Sequence, residues 1–226
     1  MKENTRQSTQ DHIRKLVMLA MFSALAFLTC FVLHFKLEFL SFEPKDAVLV
    51  IAGFVYGPIA GICTSIVAAV IELSISTTGI YGLIMNIAAS CSFVGVASLV
   101  YKYKKSVLGA VLGLVAGTIA MTIVMIFLNL LITPIYMGVP REAVVGLIEP
   151  LLLPFNLLKG VFSSAVAMLI YKPSVIAFRA VGLIPKGETQ SKAGKKSIAV
   201  TIISATVIIA AFLVFIFVLK GNFNIK

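Results

Sequence analysis

The 226 residues are 60% hydrophobic and 12% charged, against about 25% charged residues in ordinary soluble domains, and the mean hydropathy is +1.07. This balance excludes a water-soluble globular protein and leaves an integral protein of a lipid bilayer. The net charge of +10 would suggest nucleic acid in a soluble chain; here topology accounts for it, and no nucleic-acid partner is expected.

Residues 1–15 form a polar tail ending in Arg14-Lys15, expected to be disordered or interfacial and to lie in the cytoplasm. The first apolar run, 16–34, has span length and no small-residue cleavage site, so it reads as a transmembrane helix rather than a signal peptide. The chain then passes through Leu40-Ser41-Phe42-Glu43-Pro44-Lys45-Asp46, a short charged loop that caps the bundle, into an apolar helix over 47–56. Asp46, at the start of that helix, reads most simply as its N-cap. Gly57-Pro58 interrupts the run: Pro lacks an N–H and suits the first position of a helix, so the pair marks a tight reversal into a helix over 58–76. Further helices are predicted over 82–101, 107–133 and 150–171. A basic linker, 173–197, and an uncharged run, 198–219, within a terminal segment 198–226, complete the chain.

Backbone groups in lipid must bond within their own segment, so every span is a helix. The fold class is all-α: a polytopic six-helix bundle over 16–172 with an additional C-terminal transmembrane helix. Basic residues test the layout. Alternation from a cytoplasmic N-terminus puts most of the 19 Lys and Arg inside and leaves only Lys36, Lys45 and Arg141 in the outer connections, the asymmetry that the positive-inside rule describes.

Polar residues at membrane depth carry the functional information. Glu72, Asn86, Asn129, Asn156 and Lys159 come from four predicted helices, and at 1.5 Å per residue all lie roughly 6–14 Å from the outer ends. They predict a polar pocket in the outer half. A lysine near a helix centre costs ~2.5–3.5 kcal/mol on the insertion scale, so Lys159 needs a partner or a function. Asn156 and Lys159, three residues apart, share a helix face and can converge on one ligand. Two readings stay open: Lys159 pairs with Glu72 only to hold the bundle, with the asparagines as interhelical glue, or the set binds a ligand.

The turn over 76–82, which contains Gly79, either offers backbone N–H groups to a ligand or is an ordinary turn. Cys30, Cys63 and Cys91 lie inside apolar runs without a CxxC pair and read as buried small hydrophobes. His12 and His34 fall on opposite sides of the membrane, so no metal site is expected. There is no G-x-x-x-x-G-K-[ST] loop to hydrolyse ATP, no G-x-S-x-G or H-E-x-x-H motif and no facing carboxylate dyad. An enzyme is not favoured, and no cofactor is expected.

Several segments resemble the substrate-binding S subunits of energy-coupling factor (ECF) vitamin transporters, in their riboflavin-specific branch. They are Ala20-Met-Phe-Ser-Ala24; Phe42-Glu43-Pro44-Lys45-Asp46 through Gly53-Phe54 to Gly57-Pro58-Ile59-Ala60-Gly61; Gly82-Leu-Ile-Met-Asn86; Leu128-Asn129 with Pro134-Ile-Tyr136; and Pro154-Phe-Asn156-Leu-Leu-Lys159-Gly160. The resemblance implies a six-helix fold that takes riboflavin from outside a prokaryotic plasma membrane under a gating loop between helices 1 and 2. It also implies a transmembrane coupling subunit and two cytoplasmic ATPase subunits as partners. Asn129, Asn156 and Lys159 match positions that hydrogen-bond the flavin, with Asn86 a further candidate. Leu40 and Phe42 fall in the segment that contacts the ring, and Ala20 and Ala24 match the coupling-subunit motif. The run 198–219 departs from the six-helix pattern. The alternatives are an S subunit for another vitamin and, in a different class, an intramembrane enzyme or channel built on Glu72 and Lys159.

Overall fold

The centre of the bundle is a helix too short to span it. The computed structural model describes residues 2–32, 35–37, 40–76, 78–180, 202–211 and 213. Helix α1 (Lys2–Val32) leads through an antiparallel hairpin, β1 (Phe35–Leu37) and β2 (Leu40–Phe42), into α2 (Lys45–Tyr56). Helices α3 (Pro58–Glu72), α4 (Gly79–Tyr103) and α5 (Val107–Met137) follow. A short α6 (Arg141–Val145) and a π-helical turn (Ile148–Leu152) feed α7 (Leu153–Ala180), and a last helix, α8, covers Ile202–Ala211. The fold is all-α, with the only strands among the described residues in the α1–α2 connection.

Helix α2 is apolar on every face beyond its first turn, and such a helix is stable only when surrounded. It packs against α1, α3, α4 and α7, and Ala47, Leu49, Val50, Ile51 and Ala52 are buried. The predicted reversal at Gly57-Pro58 is present. Gly57 adopts φ +95°, a left-handed backbone that favours glycine, its N–H bonds Gly53 O at 2.9 Å, and Pro58 opens α3. A Cβ on Gly61 would lie 2.8 Å from Gly53 Cα, so α3 closes on α2 here only because position 61 is glycine; a Cβ on Gly53 would instead run into Ser98 of α4.

Among the described residues, four helical segments are long and apolar enough to cross a membrane: His12–Cys30, Gly79–Tyr103, Val107–Met137 and Ile148–Tyr171. Their outward faces carry large apolar side chains such as Leu16, Leu28, Val115, Ile123 and Phe127, as a lipid solvent requires. Cys30 is buried, but Cys63 is exposed and Cys91 half-buried; the expectation of three buried cysteines holds for one, because α3 and α4 each turn a face outward.

The helix limits differ from the predicted ones in consistent ways. The polar tail forms the first turns of α1, since no Gly or Pro interrupts 2–15. Helix α5 continues through Pro134 to Gly138, whose φ of +64° ends it, and α7 continues through Pro173, so the boundary drawn at 172 falls inside a helix. The rest of the predicted linker, 181–197, and most of 198–219 outside α8 lie beyond the described residues. Asp46 is not the N-cap of α2. Pro44 holds that position without a side-chain bond, while Asp46 sits in the first turn, fully buried, and accepts from Ser90 Oγ of α4. Its second carboxylate oxygen has no partner among the described residues.

Candidate ligand-binding site

The end of the bundle that carries the β hairpin also holds its buried charges. Lys45, the first residue of α2, is 1% exposed and forms ion pairs with Glu72, the last residue of α3, and with Glu43 at 3.1 Å. The other oxygen of Glu72 accepts from Asn86 Nδ2 at 2.7 Å, and Cys30 Sγ of α1 lies 3.6 Å from Glu43 Oε2. The ligand atoms of Cys30, Glu43 and Glu72 lie within 4.8 Å of one another, a donor set able to enclose a cation. The cation among them is the Lys45 ammonium, bonded to both carboxylates.

Of the two readings left open, the Glu72–Lys159 ion pair is not formed: Glu72 pairs with Lys45. The placement of Lys45 is corrected: it is a core residue rather than part of an outer loop. The cause is the antiparallel α2–α3 hairpin. Lys45 lies twelve residues before Gly57 and Glu72 fifteen after it, so the two meet at the same level, within reach of a lysine arm.

Beside this cluster a cavity of about 90 Å³ opens between α4, α5 and α7. Helix α4 contributes Tyr81 and Asn86, α5 contributes Met125, Thr133 and Tyr136, and α7 contributes Phe155, Asn156 and Lys159. The Tyr81 and Tyr136 rings lie 5.8 Å apart. Asn156 donates Nδ2 to Leu152 O at 2.7 Å, in the π-helical turn, which fixes its amide. Lys159 is 6% exposed, yet has no ion-pair partner among the described residues. Next to it, a Cβ on Gly160 would lie 2.5 Å from Thr118 Cγ2, so α7 and α5 close tightly against each other there.

Of the predicted site residues, the structure brings Asn86, Asn156 and Lys159 onto one wall. Glu72 stands one hydrogen bond behind it. Asn129 is fully buried but turned into its own helix, donating to Met125 O at 2.7 Å and accepting from Thr133 Oγ1 at 2.9 Å; those two partners, not Asn129, line the cavity. Gly79 begins α4 with φ +58° and stays off the wall, while its neighbours Thr78 and Gly82 are on it. Leu40 and Phe42 belong to β2, in register with Leu37 and Phe35. The connection is a hairpin rather than the expected loop, and the period-two pattern Phe35-Lys36-Leu37 and Leu40-Ser41-Phe42 is the signal for it. Ala20 and Ala24 are exposed on α1. Tyr81, Thr133 and Tyr136 are not among the predicted site residues, because a ring or hydroxyl near a helix end is unexceptional in a membrane protein. The motif Pro134-Ile-Tyr136 and the turn over 76–82 are the signals that could have found the two tyrosines.

Aromatic and apolar walls, two fixed amides and an ammonium with no ion-pair partner among the described residues suit binding rather than bond-making. A cavity of this kind inside a membrane helix bundle defines a membrane-embedded binder of a small molecule. The chain belongs to the family described as "ECF transporter, substrate-specific component", which matches residues 14–171. It is a substrate-binding component of a transporter and not an enzyme. It is 30% identical over 176 residues to the riboflavin transporter RibU of Staphylococcus aureus (strain TCH60), covering 74% of this chain and 93% of that one. It is 31% identical over 173 residues to the riboflavin transporter FmnP of Bacillus subtilis (strain 168), covering 70% and 90%. The solved structure of the S component of a bacterial ECF transporter superposes with a TM-score of 0.64 at 30% identity, over 74% of this chain and 99% of that one.

Proposed function

We propose that the protein is a riboflavin-specific S subunit: it captures the vitamin from outside the cell in the α4–α5–α7 cavity and delivers it inward. Its partners are a transmembrane coupling subunit and two cytoplasmic ATPase subunits, met through the Ala20–Ala24 face of α1, with the N-terminus in the cytoplasm of a prokaryotic cell and the bundle in its plasma membrane. The core is 16–172, and 198–226 adds a membrane helix to it. The observation that carries this reading is Lys159, a buried ammonium with no carboxylate partner among the described residues, on the wall of an aromatic cavity beside two asparagines. An isoalloxazine ring supplies what that wall lacks: a flat apolar body with carbonyls and an imide along one edge. The riboflavin transporters among the relatives support the choice of ring.

The cavity, at about 90 Å³, is below the ~300 Å³ of ordinary ligand pockets. Binding therefore widens it. The Tyr81–Tyr136 pair and the Asn129–Met125 bond are the contacts that yield, which brings Asn129 to the flavin while β2, with Leu40 and Phe42, closes over it. The direct partners of Glu72 are Lys45 and Asn86 rather than Lys159, which weighs against an enzyme or channel built on a Glu72–Lys159 pair. An S subunit for another vitamin is the remaining alternative.

The test is titration of the detergent-purified, ligand-free protein with riboflavin, followed by flavin fluorescence; the chain has no Trp to interfere. Stoichiometric quenching at sub-micromolar flavin is expected, weakened about 10- to 100-fold by Lys159→Ala, in line with a lost hydrogen bond from a charged group. A protein that ignores riboflavin but quenches or shifts with another vitamin would transfer the site to that ligand.

A further inference from the structure

Glu72 does not touch the cavity, yet it holds a residue that does. A carboxylate oxygen that faces an amide accepts, so Asn86 must turn Nδ2 toward Glu72 Oε1, as the 2.7 Å contact shows. The Asn86 carbonyl oxygen then lies on the opposite fork of the amide, away from Glu72. Lys45 donates to Glu72 Oε2 and to Glu43, which leaves Oε1 for Asn86 and clamps the carboxylate between α2 and α4. Asn156 is oriented in the same sense by a different device, the Leu152 carbonyl of its own chain. With both amide nitrogens donating to protein oxygens, the amide oxygens of Asn86 and Asn156 are what these residues have left to offer a ligand as acceptors, beside the Lys159 ammonium as donor.

We propose that Glu72 and Lys45 are positioning residues that fix Asn86 as a hydrogen-bond acceptor toward the cavity, selecting ligands with an N–H on their polar edge. The inference rests on the cavity being the ligand site, as argued above, and assigns a role to residues outside it. An imide edge, with N–H between two carbonyls, meets this pattern; the same edge with the nitrogen methylated does not. Glu72→Gln inverts the device. Lys45 still takes an oxygen, the new amide nitrogen faces Asn86, and Asn86 turns its own nitrogen to the cavity. Adding Asn86→Asp returns an acceptor-only group to that position.

The experiment compares riboflavin with 3-methylriboflavin, which lacks the imide N–H, on the unaltered protein, Glu72→Gln and Glu72→Gln/Asn86→Asp. Glu72→Gln is expected to weaken riboflavin about 10-fold, the worth of one hydrogen bond, while 3-methylriboflavin changes less than about 2-fold. The double variant recovers most of the riboflavin loss. Equal losses for both flavins, or no recovery, would overturn the proposal. A ligand-free measurement separates it from the functional reading: melting temperatures of Glu72→Gln, Asn86→Ala and their combination are non-additive if Glu72 holds Asn86, and simple additivity sinks the pair. Indifference of the unaltered protein to both flavins counts against riboflavin alone, and the melting cycle then decides the positioning role.

Discussion

Lys45 and Lys159 are two buried lysines at one end of the bundle, and they are used in opposite ways. Lys45 sits between two carboxylates; Lys159 has none among the described residues and faces the cavity. Removing Lys45 strands Glu43 and Glu72, and breaking a buried pair in this way costs about 3–5 kcal/mol. Lys45→Met is therefore expected to lower the melting temperature sharply, whereas Lys159→Met keeps or raises it while riboflavin binding is lost; thermal unfolding and flavin titration on the same preparations separate the two. Lys159 and Asn156 were legible in the sequence because polar residues three apart on an apolar helix must share one face, and lipid cannot be what that face meets. Lys45 was not, because counting basic residues by connection assigns any lysine near a span limit to water. Reading the α2–α3 hairpin outward from Gly57 would have matched it to Glu72. Asn129 was expected to face a ligand, but spacing does not reveal that Thr133 and Met125, one turn away on either side, satisfy its amide.

Among the helices, Gly57-Pro58 was decipherable because glycine and proline have local rules that neighbouring segments do not override. Pro134 and Pro173 are the counterexamples. Water can take over the groups a proline frees at a soluble helix end, but lipid cannot, so α5 continues through Pro134, which lies inside its span. Pro173 lies past the span that ends at Tyr171, and that reason does not extend to it. The apolar run 198–219 was legible as a helix, and α8 lies within it; its packing partners were not legible. Helix α8 sets Ala211 and Ile208 against Val144, Leu152 and Phe155, and Phe155 also lines the cavity. Ser204 is buried as well, which gives an i, i+4, i+7 stripe on one face. The family match ends at residue 171, so this support is an addition behind the α7 wall. Ending the chain after Ala180 is expected to speed riboflavin release several-fold, read as recovery of flavin fluorescence after dilution. An unchanged release rate would leave α8 without a role at the cavity.

For the whole molecule, two faces are kept apart. The cavity lies among α4, α5 and α7, whereas Ala20 and Ala24 are exposed on α1, which packs on α2 and α3. A bulky residue at either alanine therefore has room to block a partner without reaching the cavity. Ala20→Trp or Ala24→Trp is expected to leave riboflavin affinity within about 2-fold and to abolish ATP-dependent uptake in proteoliposomes holding the coupling subunit and ATPases; lost binding would mean that α1 shapes the cavity instead.

The central position of α2 has a consequence for how the chain is made. Twelve residues reach only about 18 Å, against ~30 Å of hydrocarbon, and they begin with Lys45 and Asp46, so the insertion machinery has no reason to release this segment into lipid by itself. Its charged end is satisfied by Glu72 and by Ser90 of α4, residues synthesised later. Biogenesis must hold the segment at the translocon until α4 emerges. Ribosome-arrested chains in which α2 has left the ribosome and α4 has not are accordingly expected to leave 45–56 open to a water-soluble label that longer chains, with α4 fully emerged, exclude.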